Sequence, residues 1–183
     1  MAAVSRLPCA NRWPVRVTGL PAADSDPLRV ELSIATHVAL PSEISESSLR
    51  SLMAFALGEE GASSRWEISL LFTTDARIQQ LHLEFMNLDS PTDIMTFPYE
   101  SYGVSSIESA ARGGDIVISI ETAATHAVDA GWNFADELQF LALHGLLHIL
   151  GWDDGEPGQR AGMLARQVQL LQHWRDQAGD VTG

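Results

Sequence analysis

The chain has 183 residues, 45% of them hydrophobic, and a net charge of −13 from 24 acidic against 11 basic residues, which is enough for one well-packed domain. Every basic residue is arginine, and so acidic a chain excludes a generic polyanion binder, because affinity for phosphate backbones needs clustered positive charge. A single cysteine, Cys9, excludes an intrachain disulfide and makes a reducing, cytoplasmic setting the default, while the most apolar run, Leu138 to Leu150, is too short to span a bilayer.

Residues 1–27 lack the apolar core of a secretory signal. Arg6, Arg12 and Arg16, with no acid before Asp24, give the tract a faint organelle-targeting character, but an extension outside the fold is the expectation. The folded domain is expected over 28–178. "LRVELSIA" from Leu28 alternates with period two and predicts a strand. A helix follows from Ser45 to Leu57, with Leu49, Leu52, Met53 and Ala56 on one face and Gly58 as its stop. "WEISLLFTT" is a second strand. Thr74 or Asp75 then caps a helix that turns Ile78, Leu81 and Phe85 to the core, in a register closed by Pro91. "DIMTFP" (Asp93–Pro98) is a short strand, residues 99–113 form a mobile loop, and "GDIVISI" from Gly114 is another strand. Thr122 to Ala130 is helical up to Gly131. Asn133, with Asp136 three residues on, caps the longest apolar helix, which ends at Gly151. A last amphipathic helix spans Glu156 to Trp174. Four strands among these helices predict an α+β fold: a single domain with a mixed four-stranded sheet packed against helices.

The chemistry concentrates in "HGLLHILGWDD", His144 to Asp154. Residues four apart on a helix share a face, so His144 and His148 can direct both imidazoles at one ion. The spacing alone is a weak signal. Gly151 strengthens it, because a glycine in the left-handed conformation turns the chain back toward the same point. Asp153 and Asp154 then become candidate oxygen ligands, and either could instead cap the following helix.

This stretch resembles the H-G-x-L-H-x-x-G-[YW]-D-H signature of the YbeY family, zinc-dependent bacterial endoribonucleases of ribosomal RNA maturation. "DSPTDIMTFP" (Asp89–Pro98) resembles the family's D-x-P-T-[DN]-V-L-S-F-P element, and "GDIVIS" (Gly114–Ser119) its G-D-I-x-I-S strand. The resemblance implies one Zn²⁺ on a zincin-like helix, held by His144, His148 and Asp154, with Asp154 standing where the family has a third histidine. Asp153 matches the family's own aspartate and is expected to orient a ligand from behind. The implied reaction is cleavage of RNA phosphodiester bonds in 3′-end maturation of small-subunit ribosomal RNA and in ribosome quality control. The implied partners are ribosomal RNA and the small ribosomal subunit, with no membrane and no stable DNA binding. No general base is assigned.

Two further departures stand in "LHLEFM", where His82 replaces the family's asparagine and Met86 its RNA-facing arginine. Met86 is expected to pack on the sheet. Asp93 and Asp115 are each a support for the site or a plain strand-start residue. His37, His82, His126 and His173 are read as surface or ordinary packed histidines, and Trp152 as a cover for the helix end. Two rival readings are a catalytically weak ribosome-assembly factor with a structural metal and a metallopeptidase. The second is disfavoured because Gly145 occupies the place of that class's catalytic glutamate.

Overall fold

A computed structural model of the chain describes residues 27–180 apart from 41, 43 and 100–111. Residues 1–26 of the expected extension, and all but the margins of the expected loop, therefore lie outside the described residues. Among the described residues, four strands and five helices follow one another in the order β1 (Arg29–Thr36), α1 (Glu46–Glu59), β2 (Arg65–Thr73), α2 (Asp75–Met86), β3 (Ile94–Pro98), β4 (Arg112–Ser119), α3 (Ile120–Ala130), α4 (Phe134–Ile149) and α5 (Pro157–Asp180).

The sheet order is β1-β2-β4-β3. The first three strands are parallel and β3 runs antiparallel along the edge of β4, so the sheet is mixed, as the sequence predicts. Its two faces carry unequal cores. Ile68, Leu70, Phe72, Ile116 and Ile118 point into the main core shared with α1, α4 and α5. The opposite face carries a small cluster in which Ile78 and Leu81 of α2 meet Met95 and Val117. Phe72 and Leu70 are fully enclosed in the main core, where truncating either to alanine would cost about 2–5 kcal/mol.

Local signals fix most boundaries. Ser45, Thr74 and Asn133 accept hydrogen bonds from the amides of Ser48, Arg77 and Asp136 and so start α1, α2 and α4 as expected. Several ends differ from the sequence reading. Helix α1 runs through Gly58 to Glu59, and α5 continues past Trp174 to Asp180. Strand β4 starts at Arg112, and Ile120 belongs to α3. Helix α2 stops at Asn87, which takes a left-handed conformation (φ 57°) and closes the helix well before Pro91. That early stop leaves Phe85 59% and Met86 48% exposed, so neither packs in the core as the periodicity suggested. Phe85 instead meets Phe97 edge-on, with ring centroids 5.0 Å apart.

Helix α4 sits close on β4 and β3 because of Gly145. A Cβ built there would stand 2.8 Å from Ile116 Cγ2, 3.0 Å from Ile94 Cδ1 and 3.1 Å from Thr96 Cγ2. Even alanine would have to push the helix off the sheet, at a cost of about 1–3 kcal/mol. No described helix is long and apolar enough to cross a membrane.

Candidate metal centre

Helix α4 presents three flanks. Gly145 faces the sheet, Ala142 and Leu146 are enclosed in the core, and the histidine flank is left partly open. After α4 the chain passes Leu150 and turns at Gly151, whose φ of +90° suits glycine alone. The turn brings Asp154 back over the last helical turn. His144 Nε2 and His148 Nε2 lie 3.1 Å apart, and Asp154 places Oδ2 3.9 Å from the first and Oδ1 3.8 Å from the second. Among the described residues this is the group whose nitrogen and oxygen atoms, all within 4.8 Å of one another, could hold a metal ion. Ligands around tetrahedral zinc are separated by about 3.3 Å, so the set fits the ion with small adjustment.

The hydrogen bonds behind the imidazoles make the fit specific. His148 Nδ1 lies 3.1 Å from the carbonyl oxygen of Trp152, which can only accept. His144 Nδ1 lies 3.2 Å from Gln167 Oε1, and Gln167 is oriented by donating from Nε2 to the Phe140 carbonyl at 2.8 Å. Both Nδ1 atoms therefore carry the proton, and both Nε2 lone pairs face the same point. Two bare acceptors at 3.1 Å beside a carboxylate repel one another unless a cation lies between them. Burial, and then the neighbouring His144, hold the pKa of His148 below its ordinary value, which keeps the imidazole neutral and able to ligate.

The turn is anchored from three sides. Arg160 Nε donates to the Asp154 carbonyl, Trp152 Nε1 donates to Glu60 of the α1–β2 connection, and Arg166 of α5 pairs with the same Glu60 at 2.6 Å. Trp152 packs partly buried against the main core, and its amide donates to the Leu147 carbonyl at the end of α4. Asp153 accepts from the Gly155 amide, which shapes the turn, and its charge also acts on His148.

Gln167 is the residue the sequence reading missed. Its one trace in the sequence is a polar residue set in the apolar stripe Met163, Leu170, Leu171 and Trp174 of α5, and the structure buries it fully. The structure also sharpens the meaning of Gly145: the position that carries the glutamate of zinc peptidases is pressed against Ile116 and Ile94 here and has no room for a carboxylate.

Other candidates lie apart from the triad. Asp115 accepts from the Tyr99 hydroxyl, and burial with that carboxylate pushes the Tyr99 pKa up to about 12. Asp93 accepts from the Ile94 amide and lies 3.7 Å from His126 Nδ1, which is 4.0 Å from Glu137 on α4. His82 donates to the Ser90 carbonyl at 2.8 Å, tying α2 to the following loop. A separate cavity of about 420 Å³, lined by Glu31, Arg50, Glu67 and Tyr99, shares no residue with the triad.

Fold and site together define a class: an α+β domain with a partly open histidine–histidine–carboxylate group that could hold a metal ion, on a sheet-backed helix. Comparison with known proteins narrows it. The family model described as "Endoribonuclease YbeY" matches residues 33–175, and the chain belongs to that family. It is 40% identical to an endoribonuclease YbeY of a Synechococcus species, across 72% of this chain and 83% of that protein. It is 36% identical to that of Mycolicibacterium vanbaalenii, across 72% and 74%. The fold is shared with the solution structure of TM1509 from Thermotoga maritima (TM-score 0.52, 20% identity), across 80% of this chain and 93% of that one.

Proposed function

We propose that this protein is a zinc-dependent endoribonuclease acting in 3′-end maturation of small-subunit ribosomal RNA and in ribosome quality control. The carrying observation is the convergence of two bare imidazole nitrogens and the Asp154 carboxylate on one solvent-reachable point, in a chain of an endoribonuclease family. Three mixed nitrogen and oxygen ligands with a position left open suit zinc. When bound, the ion supplies Lewis acidity at a phosphoryl oxygen and activates water. The chain's own residues perform the rest. His144 and His148 hold the ion through Nε2, Gln167 and the Trp152 carbonyl fix their protonation, and Asp154 closes the set while lowering its net charge.

A second reading, a catalytically weak ribosome-assembly factor that keeps the metal for structure, is favoured by the exposed Met86 at the place of the family's arginine. One experiment separates the two. Metal content would be measured on protein purified without added metal, and RNA carrying a small-subunit 3′ end would be incubated with parent and His148→Ala. About one zinc per chain and cleavage lost together in the variant is the expected result. Metal without cleavage, together with binding to the small subunit, selects the second reading.

A further inference from the structure

The open histidine flank of α4 overhangs the outer edge of β3. Gly145 lies on Ile94 and Thr96, Ala142 and Leu146 turn inward to the core, and the histidines point the other way. Glu137, two turns earlier on the histidine flank, confirms the direction, since it meets His126 beside Asp93, the residue that leads into β3.

The β3 edge is closed almost everywhere. Ser119 N–H donates to the Asp93 carbonyl and Tyr99 N–H to the Gly113 carbonyl, so the odd positions of β3 bond to β4 and the even positions face outward. At Ile94 the outward amide is taken by Asp93 Oδ1 at 2.9 Å, and Thr92 Oγ1 lies 3.4 Å from the carbonyl. Pro98 brings no N–H. Thr96 is left as the one β3 position that presents both a free N–H and a free C=O among the described residues. It lies level with Gly145, between the two histidines along α4.

We infer that the outward peptide groups of Thr96 form a docking point for one nucleotide of the RNA backbone beside the metal centre. The N–H donates to a phosphate oxygen and the C=O accepts from a 2′-hydroxyl. The inference rests on the ribonuclease reading and names how its substrate is held. RNA fits better than an extended peptide, because strand addition needs a run of free edge groups and this edge offers one. A neutral amide also supplies a phosphate contact that requires no arginine, in a chain where Met86 takes the family's arginine place.

The test removes that N–H alone. Thr96→Pro deletes it without touching the ladder to β4, and a variant with an ester in place of the Met95–Thr96 amide does so without a ring. Both are expected to keep about one metal per chain. The expected loss in kcat/KM on an RNA oligonucleotide is about 10- to 100-fold, the usual size for a hydrogen bond to a charged group. Undiminished cleavage by the metal-loaded ester variant would overturn the inference, and that variant decides if Thr96→Pro fails to fold. Should the parent cleave no RNA, the ribonuclease reading fails separately. Fluorescence anisotropy of labelled RNA then decides: a weaker complex with the ester variant supports the docking point, and equal affinity overturns it. Slowed hydrogen exchange at Thr96 with a peptide, and none with RNA, would also overturn it by assigning the edge to a protein partner.

Discussion

Two histidine–carboxylate groups lie against helix α4, one at each end, and they are built differently. At its C-terminal end His144, His148 and Asp154 converge within 4.8 Å. Near its N-terminal end His126 stands between Asp93 and Glu137 at 3.7 and 4.0 Å, and the three are not gathered around a point. The residue types are nearly the same. At the C-terminal end the ligand nitrogens are selected by carbonyl acceptors behind them, and the third ligand arrives on a glycine turn anchored to α1 and α5. At the other end a buried carboxylate faces a half-exposed imidazole across 4.0 Å. A group able to hold a metal ion is thus marked by convergence and by the partners that orient its side chains, more than by an inventory of residue types.

The largest expected effect would break this contrast most directly. Asp154→Ala should weaken zinc affinity by more than about 100-fold, beyond the usual loss for a group behind a ligand, while Asp153→Ala stays well inside that range. Titration with a competing chelator measures both, and a larger loss for Asp153→Ala would reassign the third ligand. Asp154→His should keep the metal. With three neutral ligands the centre is more Lewis acidic, so the pH–rate profile for RNA cleavage should move to lower pH.

Gln167→Leu comes next. It leaves His144 Nδ1 without its acceptor, and zinc affinity should fall by about 10–100-fold with the fold retained. Unchanged affinity would mean that the ring orientation is set by packing alone. A third comparison concerns Asp93→Asn, which should leave metal content at one ion per chain. A lower content would show that the N-terminal group takes part in the centre after all.

The smallest effect tests the buried carboxyl. Burial first, and then Asp93, raise the pKa of Glu137, against the attraction of His126. The folded state therefore holds the proton more tightly than the unfolded chain. Its stabilising contribution is present below the unfolded value, about 4.3, and is lost as pH rises through the folded one. Glu137→Gln should accordingly melt a few degrees higher than the parent at pH 8, with the difference vanishing near pH 4. Thermal melts at the two pH values decide it.

Much of this was legible in the chain. Helical spacing pairs His144 with His148, and Gly151 turns the chain back to them; that reading left Asp153 and Asp154 both open, and the resemblance to the family signature selected Asp154. The caps at Ser45, Thr74 and Asn133 are local as well. Gln167 was hidden because its role exists only when α5 packs on α4, more than twenty residues away in sequence. Phe85 and Met86 were misplaced because periodicity reports a face but not where a helix ends, and Asn87 ends α2 before the apolar pattern does. Glu137 was unread for a similar reason, since its neighbours come from α3 and from the lead into β3.

The dependence of His144 on Gln167 has a consequence in time. A chain leaving the ribosome exposes both histidines and Asp154 before the middle of α5 has emerged, and until that helix docks nothing sets the proton on His144. The orientation of His144 is therefore completed by the last helix of the fold, through an amide that is itself held by the Phe140 carbonyl.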